Sequence, residues 1–276
     1  MIYFSMGYWV AGLALITSFS GVACGLACIR QSTKSVTAKF RLVWVFVASV
    51  SIGGVGMAMP IYLLMLGFGV NGSPVRYESS VTSMFSVLAG LTMFIAMLVA
   101  GPRLNWWRLV LGALVMAGGF GTGDLLMLNA IRVQGSVERS MVSIIAVFVM
   151  VAMMSGLLLW FSRIARSVPM VLAGAVIYAG LVIAMHFVGF TGVQIHLDPS
   201  AAAPQGQELF SFFVPFFIIG TLALTVPITA ILVAPDRREA RTPVLPKPDL
   251  AHSPSLATAS QHAPAQPGIR AEPPRR

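Results

Sequence analysis

Long apolar runs, separated by short polar connectors, occupy the chain as far as residue 234. A bilayer's hydrocarbon core takes about 20 helical residues. Seven runs are long enough: Met6–Ile29, Leu42–Val70, Ser79–Ala100, Leu109–Ile131, Ser140–Phe161, Pro169–Val193 and Leu209–Ala234. Asp124 is their single charged residue. Backbone groups in lipid must be satisfied inside the segment, so runs of this length predict helices. The expectation is an all-α polytopic bundle of seven transmembrane helices. Glycines cluster in the second run (Gly53, Gly54, Gly56) and the fourth (Gly118, Gly119, Gly121, Gly123), where they permit close helix approach. Pro60, Pro215 and Pro227 predict kinks in spans two and seven.

The connectors set direction. Arg30, Lys34, Lys39 and Arg41 follow the first run, Arg103 and Arg108 lie after the third, and Arg163 and Arg166 after the fifth. The alternate connectors are balanced or acidic: Arg76 with Glu78, Arg132 and Arg139 with Glu138, then Asp198 and Glu208. The positive-inside rule places the N-terminus outside and the C-terminus in the cytoplasm of a bacterial inner membrane. Residues 235–276 turn rich in Pro, Ala, Ser and Arg and lose hydrophobic periodicity, which predicts a disordered cytoplasmic tail. Its Arg237, Arg238 and Arg241 suit anionic headgroups.

Composition agrees: 57% of the 276 residues are hydrophobic and 10% charged, with a mean hydropathy of +0.85. Soluble domains carry about a quarter charged residues. The net charge of +9 sits in connectors and tail, which argues against a nucleic-acid surface. Two cysteines, Cys24 and Cys28, exclude a disulfide framework or zinc finger. The N-terminus has no basic stretch before its first apolar run, so no cleaved signal peptide is expected.

Spans two, four and six share a pattern near their outer ends, around Pro60-Ile61-Tyr62, Gly123-Asp124-Leu125 and Met185-His186-Phe187. Ile61, Asp124 and His186 fall 63 and 62 residues apart, as a threefold repeat of helix pairs with one leading helix would place them. Met185-His186-Phe187-Val188-Gly189 resembles the signature of the bacterial MHYT domain, a membrane domain of three helix-pair repeats bearing Met-His-Tyr-Thr or a variant. Gly72–Glu78 and Arg132–Gly135 resemble its outer loops, and the likeness covers roughly residues 8–234. It implies a sensory or small-ligand role, with copper held by motif Met and His residues, or oxygen, carbon monoxide or nitric oxide as the signal. Cyclic-dinucleotide enzymes often follow such a domain. Here the first two motif histidines are replaced by Ile61 and Asp124, and no output module is expected in the tail, so signalling would need a separate partner or a homo-oligomer.

His186 lies about six residues inside span six, about 9 Å below the interface. With Met185 or Met65 it suits Cu(I); the alternative is a neutral histidine hydrogen-bonded inside the bundle, favoured because two partner histidines are missing. Asp124 either pairs with His186 across the repeat or is wetted from the outer surface. The other methionines read as core filling. Cys24 and Cys28 read as small residues at a helix contact, or else a thiol metal site. His196, Asp198 and Glu208 could form a weak surface metal site but read better as a solvated loop, and His252 and His262 in the tail carry no argument. No nucleophile elbow, phosphate loop or paired carboxylates occur, so no enzymatic activity is expected. The competing reading is a small transporter or channel passing protons or a cation by His186 and Asp124; a structural membrane component is the third.

Overall fold

A computed structural model describes residues 2–4, 9–35, 37–165 and 167–233. The expected tail, with its arginines and histidines, and Arg166 lie outside the described residues. Seven helices are long and apolar enough to cross a membrane: α1 Trp9–Lys34, α2 Ala38–Leu66, α3 Ser79–Ala100, α4 Trp106–Asn129, α5 Met141–Ile164, α6 Val168–Thr191 and α7 Leu209–Val233. The protein is an all-α, multi-pass membrane bundle.

Most ends shift by one to three residues from the hydropathy reading, and two C-terminal ends shift further. The first helix runs past Ile29 to Lys34, because Ser32 and Thr33 return hydrogen bonds to Ile29 O and Arg30 O and Lys34 suits the negative helix end. The second stops at Leu66 rather than Val70. Its last carbonyls take the Gly67 N–H, and the following apolar residues find backbone partners outside the helix. They form β2 (Phe68–Val70), antiparallel to β1 (Ile2–Phe4).

The other connectors at this end pair likewise. β3 (Arg76–Tyr77) joins β4 (Ile131–Arg132), and β5 (Gly135–Arg139) joins β6 (Val193–Leu197), with Gly135 opposite Leu197 and Arg139 opposite Val193. Tyr77 also bridges to Gln207. Thus the connectors after α2, α4 and α6 are linked to one another. Ion pairs reinforce the links: Arg132 Nη2 to Glu78 Oε2 at 2.5 Å, and Arg76 Nη1 to Glu208 Oε1 at 3.0 Å.

Within the bundle, α1 packs between α2 and α6, while α3, α4, α5 and α6 follow as sequential neighbours. α7 is peripheral, with 11% of its apolar window buried. At the α1–α2 contact backbone meets backbone: a Cβ on Gly21 would lie 2.5 Å from Gly56 N. This is how glycines hold membrane helices together where no hydrophobic effect separates protein from lipid. The middle of α2, Val50–Ala58, is π-helical. Pro60 lacks the N–H that an α-helix would direct to Gly56 O, and that carbonyl accepts the Ser18 hydroxyl at 2.7 Å. A proline that would leave a polar group bare in lipid is thereby accommodated across the contact.

Candidate functional site

Helices α2, α4 and α6 all end against the ribbons, and Ile61, Asp124 and His186 each stand five residues before the last residue of their helix. That is about 8 Å of helical rise. All three side chains are wholly buried. Asp124 is therefore not wetted; it meets His186, Nδ1 to Oδ1, at 2.8 Å. The third equivalent position, Ile61, contributes only apolar surface.

The remaining polar atoms of the pair, His186 Nε2 and Asp124 Oδ2, are buried with no hydrogen-bond partner among the described residues. Around them the repeat supplies a fitted wall. Phe190, one turn beyond His186, sets its ring edge-to-face against the imidazole at 4.8 Å, and Phe68 of β2 stacks on Phe190 at 4.9 Å. Gly189 brings the α6 backbone beside Asp124, where a Cβ would lie 3.2 Å from Oδ2. At the head of α5, Arg139 donates to Asn129 Oδ1. Burial lowers its guanidinium from the ordinary value, and the negative charge of Asp124 pulls the other way. A cation at the end of β5 therefore stands within electrostatic reach of the carboxylate.

A carboxylate on one imidazole nitrogen fixes ring orientation and tautomer, leaving Nε2 as the free lone pair. As a copper centre the set is incomplete. Met185 is buried, but adjacent helical residues do not face one point, so it cannot share a ligand with His186. Met65 is buried on the same face of α2 as Ile61, one turn on. Among the described residues no three His, Cys, Asp or Glu side chains gather at one point. One imidazole nitrogen with one thioether is too small a donor set for a resident copper cofactor, but Nε2 stays open to a soft ion or another small ligand that arrives from outside.

The other candidates separate. Glu208 is taken by Arg76, and Asp198 accepts from the Ser200 hydroxyl and backbone N–H, which hold its carboxyl below the usual range. His196 lies in β6 opposite Ser136. Cys24 and Cys28 are buried free thiols, and Ser51 of α2 lies 3.9 Å from the Cys24 sulfur. The sequence shows Gly189 only as the end of the motif and Arg139 only as a connector charge, and gives neither them nor Phe190 and Phe68 a place in the site; the helical spacing of Gly189 and Phe190 from His186 is the available signal.

Compared with known proteins, the chain is 30% identical over 204 residues to the bifunctional diguanylate cyclase/cyclic di-GMP phosphodiesterase MucR of Pseudomonas aeruginosa. The match covers 70% of this chain and 29% of MucR, so the chain spans less than a third of that relative's length. No family model matches the chain, and no solved structure does.

Proposed function

We propose that this chain is a membrane sensory module of the MHYT type, in which a small ligand is recognised at His186 between α4 and α6. The observation that carries this reading is the buried imidazole with Nδ1 tied to Asp124 and Nε2 unpartnered. Leaving such a group unsatisfied costs about 1–3 kcal/mol, which a ligand donating a hydrogen bond to Nε2, or a metal ion bound by it, would offset. Binding there acts on two helices at once, because Asp124 belongs to α4 and His186 to α6. A shift between them reaches the ribbons, which link the ends of both helices, and passes from there to a signalling partner or a second copy.

The similarity to MucR supports the sensory half of the reading. That protein's name assigns it synthesis and breakdown of cyclic di-GMP, a water-soluble nucleotide. A match of 204 residues must run through the spanning helices of this chain. A membrane-embedded part shared with such an enzyme fits an input role better than catalysis on a soluble nucleotide, and this supports the reading. Basic connectors α1–α2, α3–α4 and α5–α6, opposite the acidic ribbon end, favour a bacterial inner-membrane orientation with the ribbons outside.

Copper(I) is the first ligand to try, since imidazole and thioether suit a soft ion. The detergent-purified chain, titrated with Cu(I) under reducing conditions, is expected to take up about one equivalent. His186→Ala abolishes uptake, and Asp124→Asn weakens it by about 10–100-fold as lost outer-shell partners do. Uptake that ignores both substitutions, or none by the wild type, overturns a metal ligand at His186.

A transport reading draws on the charge of Arg139 near the buried pair. Against it, no other carboxylate or imidazole is buried among the described residues, so no relay continues toward the far end. Proteoliposome proton flux that Asp124→Asn abolishes would favour transport over sensing.

A further inference from the structure

At the end of the bundle opposite the ribbons two guanidiniums lie within electrostatic reach of each other, with no carboxylate beside them among the described residues. Arg108, in the first turn of α4, donates from Nε to Val99 O at 2.8 Å and from Nη2 to Leu98 O at 3.4 Å, closing the last turn of α3. Its guanidinium lies against Gly101, where a Cβ would be 2.9 Å from Cζ and where φ is +65°. Arg163, in the last turn of α5, holds Nη2 buried with no hydrogen-bond partner, and the Arg108 charge repels it. The three helices converge just inside: a Cβ on Gly112 would lie 3.0 Å from both Ala96 O of α3 and Leu159 Cδ1 of α5.

Two like charges within electrostatic reach where three helices converge, one with a buried bare N–H, are costly without an anion. The described carboxylates do not supply it. Glu78, Glu138, Asp198 and Glu208 belong to the ribbon end, and Asp124 is taken by His186. The flanks are indoles: Trp106 and Trp107 are 65% and 80% exposed at the start of α4, and Trp160 precedes Arg163 on α5. Tryptophan favours the headgroup level of a bilayer, and arginine forks match phosphate oxygens in pairs.

We propose that Arg108 and Arg163 bind the phosphate of an anionic phospholipid between the ends of α3, α4 and α5. The open edge of Arg108 and Nη2 of Arg163 donate to the phosphate oxygens, and the lipid's chains run along the apolar outer face of the helices. The indoles place the site at the headgroup level, which selects a lipid over a phosphate free in solution.

The test uses the chain reconstituted in phosphatidylcholine vesicles, with brominated lipids quenching tryptophan fluorescence. Brominated phosphatidylglycerol is expected to quench in preference to brominated phosphatidylcholine by about thirtyfold, as two basic residues at the surface would give at about 1 kcal/mol each. Arg163→Gln and Arg108→Gln each remove most of that preference, while Arg76→Gln at the ribbon end leaves it intact. Arg108→Lys and Arg163→Lys keep the charge, guard against misfolding, and lower the preference part-way. Equal quenching by the two lipids in the wild type overturns the site, as does a preference unaltered by the lysine variants. Loss of the preference on adding inorganic phosphate at matched ionic strength overturns the choice of a lipid.

Discussion

Gly189 faces Asp124 so closely that a Cβ at this position would lie 3.2 Å from the free carboxylate oxygen, and also 3.2 Å from Leu128 Cδ1. The carboxylate cannot retreat without lengthening its 2.8 Å contact to His186. Gly189→Ala is therefore expected to destabilise the bundle by about 1–3 kcal/mol through overpacking. Thermal unfolding in detergent checks this. If the strain falls on the pair, the cost shrinks when Asp124 is already Ala; an unchanged cost in that background would place the strain elsewhere.

Removing one member of the pair leaves the other buried and bare. Asp124→Ala or His186→Ala is expected to cost about 3–5 kcal/mol. The double variant should cost clearly less than the sum of the two, since neither group is then stranded. Additive losses in a double-mutant cycle would show that the two side chains do not act together.

Glycines on these helices divide by what surrounds them. A Cβ on Gly21 meets backbone atoms of Gly56 and Ser51 at under 3.0 Å, whereas one on Gly54 or Gly180 meets nothing within 4 Å. Gly21→Ala is expected to cost about 3 kcal/mol or more, because backbone cannot be pushed aside as a side chain can. Gly54→Ala and Gly180→Ala are expected to be neutral, or stabilising by up to about 1 kcal/mol through reduced backbone freedom. Equal yields and melting temperatures for all three variants would contradict the packing of α1 on α2.

Tyr77 ties β3 to the end of α2, its hydroxyl donating to Met65 O at 3.2 Å. Burial pushes its phenol well above the ordinary value of 10.0. Below that value the group is neutral in both folded and unfolded chains and its contribution is complete. As pH rises past it, the unfolded chain ionises first and stability falls. Tyr77→Phe is expected to lose about 1 kcal/mol at neutral pH and to show a shallower loss of stability on the alkaline side. Denaturant titrations across the alkaline range compare the two slopes, and identical slopes would be the contrary result.

The membrane helices were legible because the bilayer imposes a length and an absence of charge that few other structures need. Asp124 and His186 could be singled out for the same reason, as ionisable side chains where lipid tolerates few. Their equivalence across the repeat follows from the pattern shared by spans two, four and six and from its spacing, which put them on one level of the bundle.

Tertiary structure decided what spacing left open. Whether Asp124 was wetted or paired turned on the rotation of α4 against α6, which depends on Gly189 and on packing no single helix encodes. The ribbons escaped notice because each strand is short and its hydrogen-bond partner lies in a distant connector. The bare N–H of Arg163 was likewise invisible, since a charge count cannot tell which guanidinium is buried. Hydropathy is a property of one segment and survives in the sequence by itself; pairing is a property of two, and exists only once the helices have packed.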